Sequence, residues 1–220
     1  MHMPLRALAL ATVAVPVAHA GTVTFQLTTE FSGGQNPTSP QPWGTAVFDD
    51  GGGTGTVNLT ISMNLAGDPS AFARAWYFNF DPSLDISKLS VSGGRGNPED
   101  EMEIGDDAFS AGPGGLYDVF LGFDFSPPTS RFDGNESTTF SFTSTDPITA
   151  QSFNFVGADK GGKGPFTHVA KLQGTGENNE GSGWFTGGAA VPYPSAASMG
   201  LAGLAGALSI VARRRWRGRL

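Results

Sequence analysis

The chain contains no cysteine. Disulfides, cysteine-ligated zinc and thiol nucleophiles are therefore excluded. Histidine is almost as scarce: His2 and His19 fall in a leader segment described below, which leaves His168. One histidine cannot build a multi-histidine metal site. A Ser-His-Asp triad lacks its nucleophile motif, since no G-x-S-x-G occurs, and His168 reads as a packed or hydrogen-bonded strand residue. Among thirty-two glycines there is no G-x-G-x-x-G and no Walker A sequence, so the glycines read as turns rather than phosphate cradles. Basic charge is missing from the middle of the chain. Between residues 21 and 190 all twenty acidic residues face only seven basic ones, a formal charge of −13. Such a surface repels nucleic acid and anionic lipid. It suits solubility, cation binding or a neutral glycan.

What the middle region does contain is period-two alternation. Val57, Leu59, Ile61, Met63 and Leu65 alternate with Asn58, Thr60, Ser62 and Asn64, the pattern of a half-buried strand. Phe72, Arg74, Trp76, Phe78 and Phe80 repeat it with aromatics, as do Leu121, Phe123 and Phe125, then Phe140 with Phe142, and Phe153 with Phe155. Shorter strands are expected over Val23–Leu27, Thr45–Phe48, Ile86–Val91 and Phe166–Leu172. Gly-, Pro- and Asp-rich clusters separate them, and no amphipathic helix stands out. About nine or ten short strands at this spacing predict an all-β fold, a single antiparallel β-sandwich or jelly-roll domain over residues 21–190.

Both ends read as targeting segments. Arg6, the apolar run Ala7–Val17 and the A-x-A site at Ala18-His19-Ala20 predict a Sec signal peptide over residues 1–20, leaving Gly21 as the new N-terminus. With no cysteine after the cleavage site, lipoprotein anchoring is excluded. At the other end, Val191-Pro192-Tyr193-Pro194 precedes the uncharged stretch 195–212 and the basic residues Arg213, Arg214, Arg215 and Arg217. Eighteen helical residues span about 27 Å, close to the ~30 Å hydrocarbon core of a bilayer. The arginines are expected to stay cytoplasmic, with the long preceding domain outside.

This tail, residues 191–217, resembles the PEP-CTERM sorting signal: a Val-Pro-Glu-Pro-type motif, a short hydrophobic helix and a basic cluster, in that order. Tyr193 stands where the motif usually carries Glu. Short runs in the domain look like the ectodomains of many PEP-CTERM proteins with no established activity: Trp76-Tyr77-Phe78-Asn79-Phe80-Asp81-Pro82, Phe123-Asp124-Phe125, the run 167–174, and Gly181-Ser182-Gly183-Trp184. The resemblance implies export through the Sec translocon, a membrane-held intermediate in the inner membrane, and recognition by an exosortase. It also implies a final place at the cell surface, outer envelope or extracellular matrix, in association with exopolysaccharide; two targeting signals around a domain without recognisable catalytic residues make a non-enzymatic protein the expectation.

Three sets of residues are candidates for chemistry in the domain. Glu99, Asp100, Glu101, Glu103, Asp106 and Asp107 read as an acidic loop between Gly-rich turns, a possible Ca²⁺ site, though without EF-hand spacing. Trp43 and Trp184, each flanked by glycine, are expected to offer faces to sugar rings, which would make the domain a carbohydrate-binding module. Asp118 and Asp124, on or beside an aromatic strand, are the pair on which a glycoside-active enzyme would rest.

Overall fold

β-branched and aromatic side chains pack well on a pleated surface, and their alternation with Thr, Ser and Asn decides which face of each strand is buried. The computed structural model describes residues 21–160 and 162–187. Its strands form two antiparallel sheets. One has the order β1 (Thr22–Gln26), β3 (Gly44–Asp49), β4 (Thr56–Met63), β10 (Ser137–Thr143), β6 (Ser90–Gly93). The other runs β2 (Thr29–Glu30), β12 (Gly181–Thr186), β11 (His168–Thr175), β5 (Phe72–Phe78), β8 (Leu116–Gly122), β7 (Glu101–Ser110), with the short β9 (Phe132–Asp133) also on β5.

The sheets face each other across one core. From the first come Phe48, Val57, Leu59, Ile61, Phe140 and Phe142; from the second come Trp76, Phe78, Leu121, Leu172 and Phe185. Phe48 joins the halves, edge-on to Phe78 at 5.0 Å between centroids and stacked on Phe153 at 4.4 Å. Each such buried side chain contributes about 1.5–3 kcal/mol of hydrophobic stabilisation. The opposite face of the five-stranded sheet is nearly charge-free and hydroxyl-rich. Thr60 lies opposite Thr139 there, and Ser62 opposite Ser137, their hydroxyls 3.0 Å apart in the second pair.

Several expected elements change character. Ile86–Val91 divides into a 3-10 turn over Ile86–Lys88, capped by Asp85, and the strand β6. Phe153 ends a second 3-10 turn, Ala150–Phe153, closed by reciprocal hydrogen bonds between Thr149 and Ser152; the turn drops Phe153 into the core without a strand. Phe123 and Phe125 lie beyond the end of β8. The acidic stretch is not a loop: most of it is β7, an edge strand. One edge of β7 pairs with β8 while the other carries no partner strand among the described residues. Its carboxylates oppose strand addition at that free edge, and their charge hides the strand from an alternation search.

Candidate functional site

Strand β5 is buried on both faces. Inward it meets the core; outward, Ala75 and Tyr77 join Ala111, Tyr117 and Val169 in a second apolar cluster, with Phe31, Phe109, Phe120, Phe166 and Trp184 packed against it. The outer face of the seven-stranded sheet is therefore aromatic. Residues directly opposite in an antiparallel ladder share a face, so the register builds rows across it. One row runs Trp184, Lys171, Ala75, Gly122, Glu101, and the next runs Val169, Tyr77, Phe120, Glu103. The small residues Ala75 and Gly122 lower the middle of the first row. The Phe120 ring leans over Gly122, where a Cβ would lie 2.8 Å from Cζ of that ring.

Arg74 reaches this face through a bulge. Lys171 pairs with Ala75 and the next residue, Leu172, with Ala73. Arg74 is thus the extra residue of β5, and bulges re-aim side chains in this way. Its guanidinium lies 3.4 Å from the Phe125 ring centroid. Two adjoining cavities share Arg74 and Phe120. One, of about 170 Å³, is completed by Ala75, Tyr77, Lys171 and Gln173. The other, of about 220 Å³, is completed chiefly by Glu99, Glu101, Asp124 and Phe125.

Trp184 closes one end of the first row. Its ring is half-buried, with Lys171 Nζ 5.0 Å from the ring and Tyr77 at 5.7 Å between centroids. Gly112, at φ +56°, passes so near that a Cβ there would sit 2.7 Å from the indole Nε1. Burial shifts the titrations here: Tyr77 is pushed up to about 12, and Arg74 and Lys171 are lowered. Aromatic faces flanked by a guanidinium, an ammonium, an amide and carboxylates can stack on a sugar ring and hydrogen-bond its hydroxyls.

The other predicted residues scatter. Trp43 is 3% exposed, edge-on to Phe185, with its indole N–H donating to the Ser39 carbonyl at 2.9 Å. It is a core residue and offers no face to a sugar, because the facing sheet covers it. The acidic run divides three ways. Asp100 forms a two-pronged pair with Arg95, at 2.6 and 3.0 Å, and accepts from Asp124 N. Glu99 and Glu101 line the larger of the two aromatic cavities, with Glu103 beside Phe120. Asp106 and Asp107 line a separate cavity of about 730 Å³ with Asp81, Asp85 and Asp118. Among the described residues no three histidines, aspartates or glutamates converge in a group that could hold a metal ion.

Asp118 and Asp124 also part. Asp118 is buried in β8 and accepts from the backbone N–H groups of Phe80 and Asp107, both at 2.8 Å. It supplies acceptors where β7 bulges away from the ladder. Burial raises its pKa, partly offset by those two hydrogen bonds. Asp124 lies past the strand end, accepts from Ser126 N at 3.0 Å, and is held low by such bonds. Six residues of chain, at most about 20 Å at ~3.3 Å per residue, separate the two, and they line different cavities. A glycosidase pair faces one site, its carboxylates about 5–10 Å apart.

His168 behaves as a structural residue. It is fully buried, donates from Nε2 to the Gln26 carbonyl at 3.1 Å, and accepts at Nδ1 from the Thr167 hydroxyl at 3.0 Å. Its ring stacks near-parallel on Trp76. Ala18, Ala20, the motif Val191–Pro194 and the arginines 213–217 lie outside the described residues. Nothing in the sequence singles out Phe120, Phe125, Arg74 and Lys171 as site residues. Their strands were partly visible, but nothing local distinguishes the outward face of β5 from the inward one. Compared with known proteins, the chain matches no family model, no curated protein and no solved structure.

Proposed function

We propose that this is an exported, non-enzymatic surface or matrix protein, sorted through its PEP-CTERM-like tail, whose β domain holds exopolysaccharide on the outer face of the seven-stranded sheet. One observation carries the glycan reading: the register row Trp184, Lys171, Ala75, Gly122, Glu101, beside Tyr77 and Phe120, on a face that an ordinary two-sheet protein would leave polar. The row keeps the carbohydrate-binding role expected of Trp184 and moves it away from Trp43. Calcium has no part in this reading.

Affinity electrophoresis of the purified protein through gels containing the host's exopolysaccharide, and a panel of plant and bacterial polysaccharides, tests it. Retardation is expected on at least one glycan, reduced tenfold or more by Trp184→Ala or Phe120→Ala in variants that still unfold cooperatively. Free migration of the wild type in every gel overturns the glycan reading. Sorting is tested by intact mass in host membrane and medium fractions. Loss of residues 1–20 and of the chain after Val191–Pro194 is expected; a membrane species that keeps the terminal arginines overturns exosortase processing.

A further inference from the structure

Resting on the glycan reading above, we propose that the bound polysaccharide carries an acidic sugar unit, a uronate, whose carboxylate lies between Arg74 and Lys171 while its ring rests on Phe120. The smaller of the two aromatic cavities is lined by Arg74, Lys171, Gln173, Tyr77, Phe120 and Ala75, with no carboxylate among them. Two of the domain's seven basic residues thus meet at one cavity in a domain that carries twenty acids.

Neither Arg74 nor Lys171 has a carboxylate within ion-pair distance among the described residues, though Glu101 and Asp124 act on Arg74, and Glu30 on Lys171, from further away. The ion pairs among the described residues belong to Lys88 and Arg95. Arg74 is half-buried, and its Nε is shielded from solvent without a hydrogen-bond partner. Lys171 is half-buried over the Trp184 ring, with only the Ser182 hydroxyl at 3.2 Å. A half-buried cation without a direct ion-pair partner is costly. An incoming carboxylate relieves both residues, because guanidinium and carboxylate match as a two-pronged pair.

The surroundings orient the sugar. Glu99, Glu101 and Asp124 lie in the neighbouring cavity, on the other side of Arg74 and Phe120. They accept hydrogen bonds and repel a second carboxylate. The hydroxyl edge of the ring therefore faces Glu101 and Asp124, and the carboxylate edge faces Lys171. The overall charge of −13 works against a dense polyanion, but at physiological salt it is screened beyond about 8 Å. A glycan with isolated uronates among neutral sugars fits both conditions.

The test uses the full-length protein, an oligosaccharide with one glucuronate per repeat, and the same oligosaccharide after carboxyl reduction. Losing a charge-assisted hydrogen-bond partner corresponds to roughly a 10- to 100-fold change in affinity. Calorimetry is expected to show the acidic form binding tighter by that factor. Arg74→Gln and Lys171→Gln should each erase the preference without abolishing binding of the reduced form, and Arg74→Lys should retain part of it. Raised salt should weaken the acidic form alone. Equal affinity for the two forms, with binding still lost in Trp184→Ala, overturns the uronate and leaves the glycan reading standing. Displacement of the oligosaccharide by acetate as readily as by glucuronate also overturns it. Binding of neither form here, with retardation by a neutral polysaccharide, again removes the uronate alone; no binding to any glycan removes both readings.

Discussion

Histidine 168 sets a test of how the two sheets are joined. It lies in β11 of the seven-stranded sheet, and its Nε2–H donates to Gln26 in β1 of the other. Burial lowers its pKa from an ordinary 6.5 to about 4, partly opposed by that hydrogen bond. The folded state therefore takes up the proton less readily than the unfolded chain. Its neutral-form stability is fully present above pH ~6.5 and is lost as pH falls towards ~4, after which the loss levels off. The full difference is about 3 kcal/mol at ~1.4 kcal/mol per pH unit, of which about 2 kcal/mol falls between pH ~7 and ~5. Denaturant unfolding of wild type and His168→Gln at both pH values measures it. The variant is less stable at pH 7, because the ring packs between Phe25 and Trp76, but it lacks this acid dependence. Subtracting the two proteins removes the carboxylates common to both. Wild type and variant losing the same stability between the two pH values, within about 0.5 kcal/mol, would refute the buried neutral imidazole.

Trp43→Ala should destabilise by about 3–5 kcal/mol through the cavity it leaves, with the Ser39 carbonyl losing its donor; denaturant midpoints read the loss. Gly112→Ala places a Cβ against the Trp184 indole at a residue with positive φ. It should weaken polysaccharide retention in affinity gels as much as Trp184→Ala does. Asp118→Ala leaves the buried N–H donors of Phe80 and Asp107 without their acceptor. A loss of about 2–4 kcal/mol is expected, with Asp118→Asn losing less, both read by chemical unfolding. Replacing Glu101, Glu103 and Asp106 together by Gln and Asn strips charge from the free edge of β7. The variant should form larger species in light scattering at concentrations where the wild type does not.

Much of the sheet structure is legible in short range. The strict alternation of Val57 to Met63 with Asn58, Thr60 and Ser62 makes β4 half-buried, and the structure buries each of those four apolar residues. The same logic misreads Ile86–Val91 and Phe153–Phe155, where Asp85 and the Thr149–Ser152 pair close tight turns instead. It passes over β7 and β12, where acidic residues, glycines and serines interrupt the apolar alternation. Those strands exist because β8 and β11, their neighbours in the chain, offer them ladder partners.

The absence of cysteine, the acidic middle and the period-two apolar pattern are properties of the chain itself. Together they determine an antiparallel all-β domain without disulfides or thiol chemistry. The choice between Trp43 and Trp184 belongs to the tertiary structure. Both are glycine-flanked aromatics, yet one is covered by the facing sheet while the other lies half-open on the outer face. The same holds for Arg74. A bulge against β11 turns it outward to meet Lys171 and Phe120, residues about a hundred and about fifty positions away. Burial depends on what packs from across the fold, and register on pairings between distant segments, so neither is written in the local pattern around a residue.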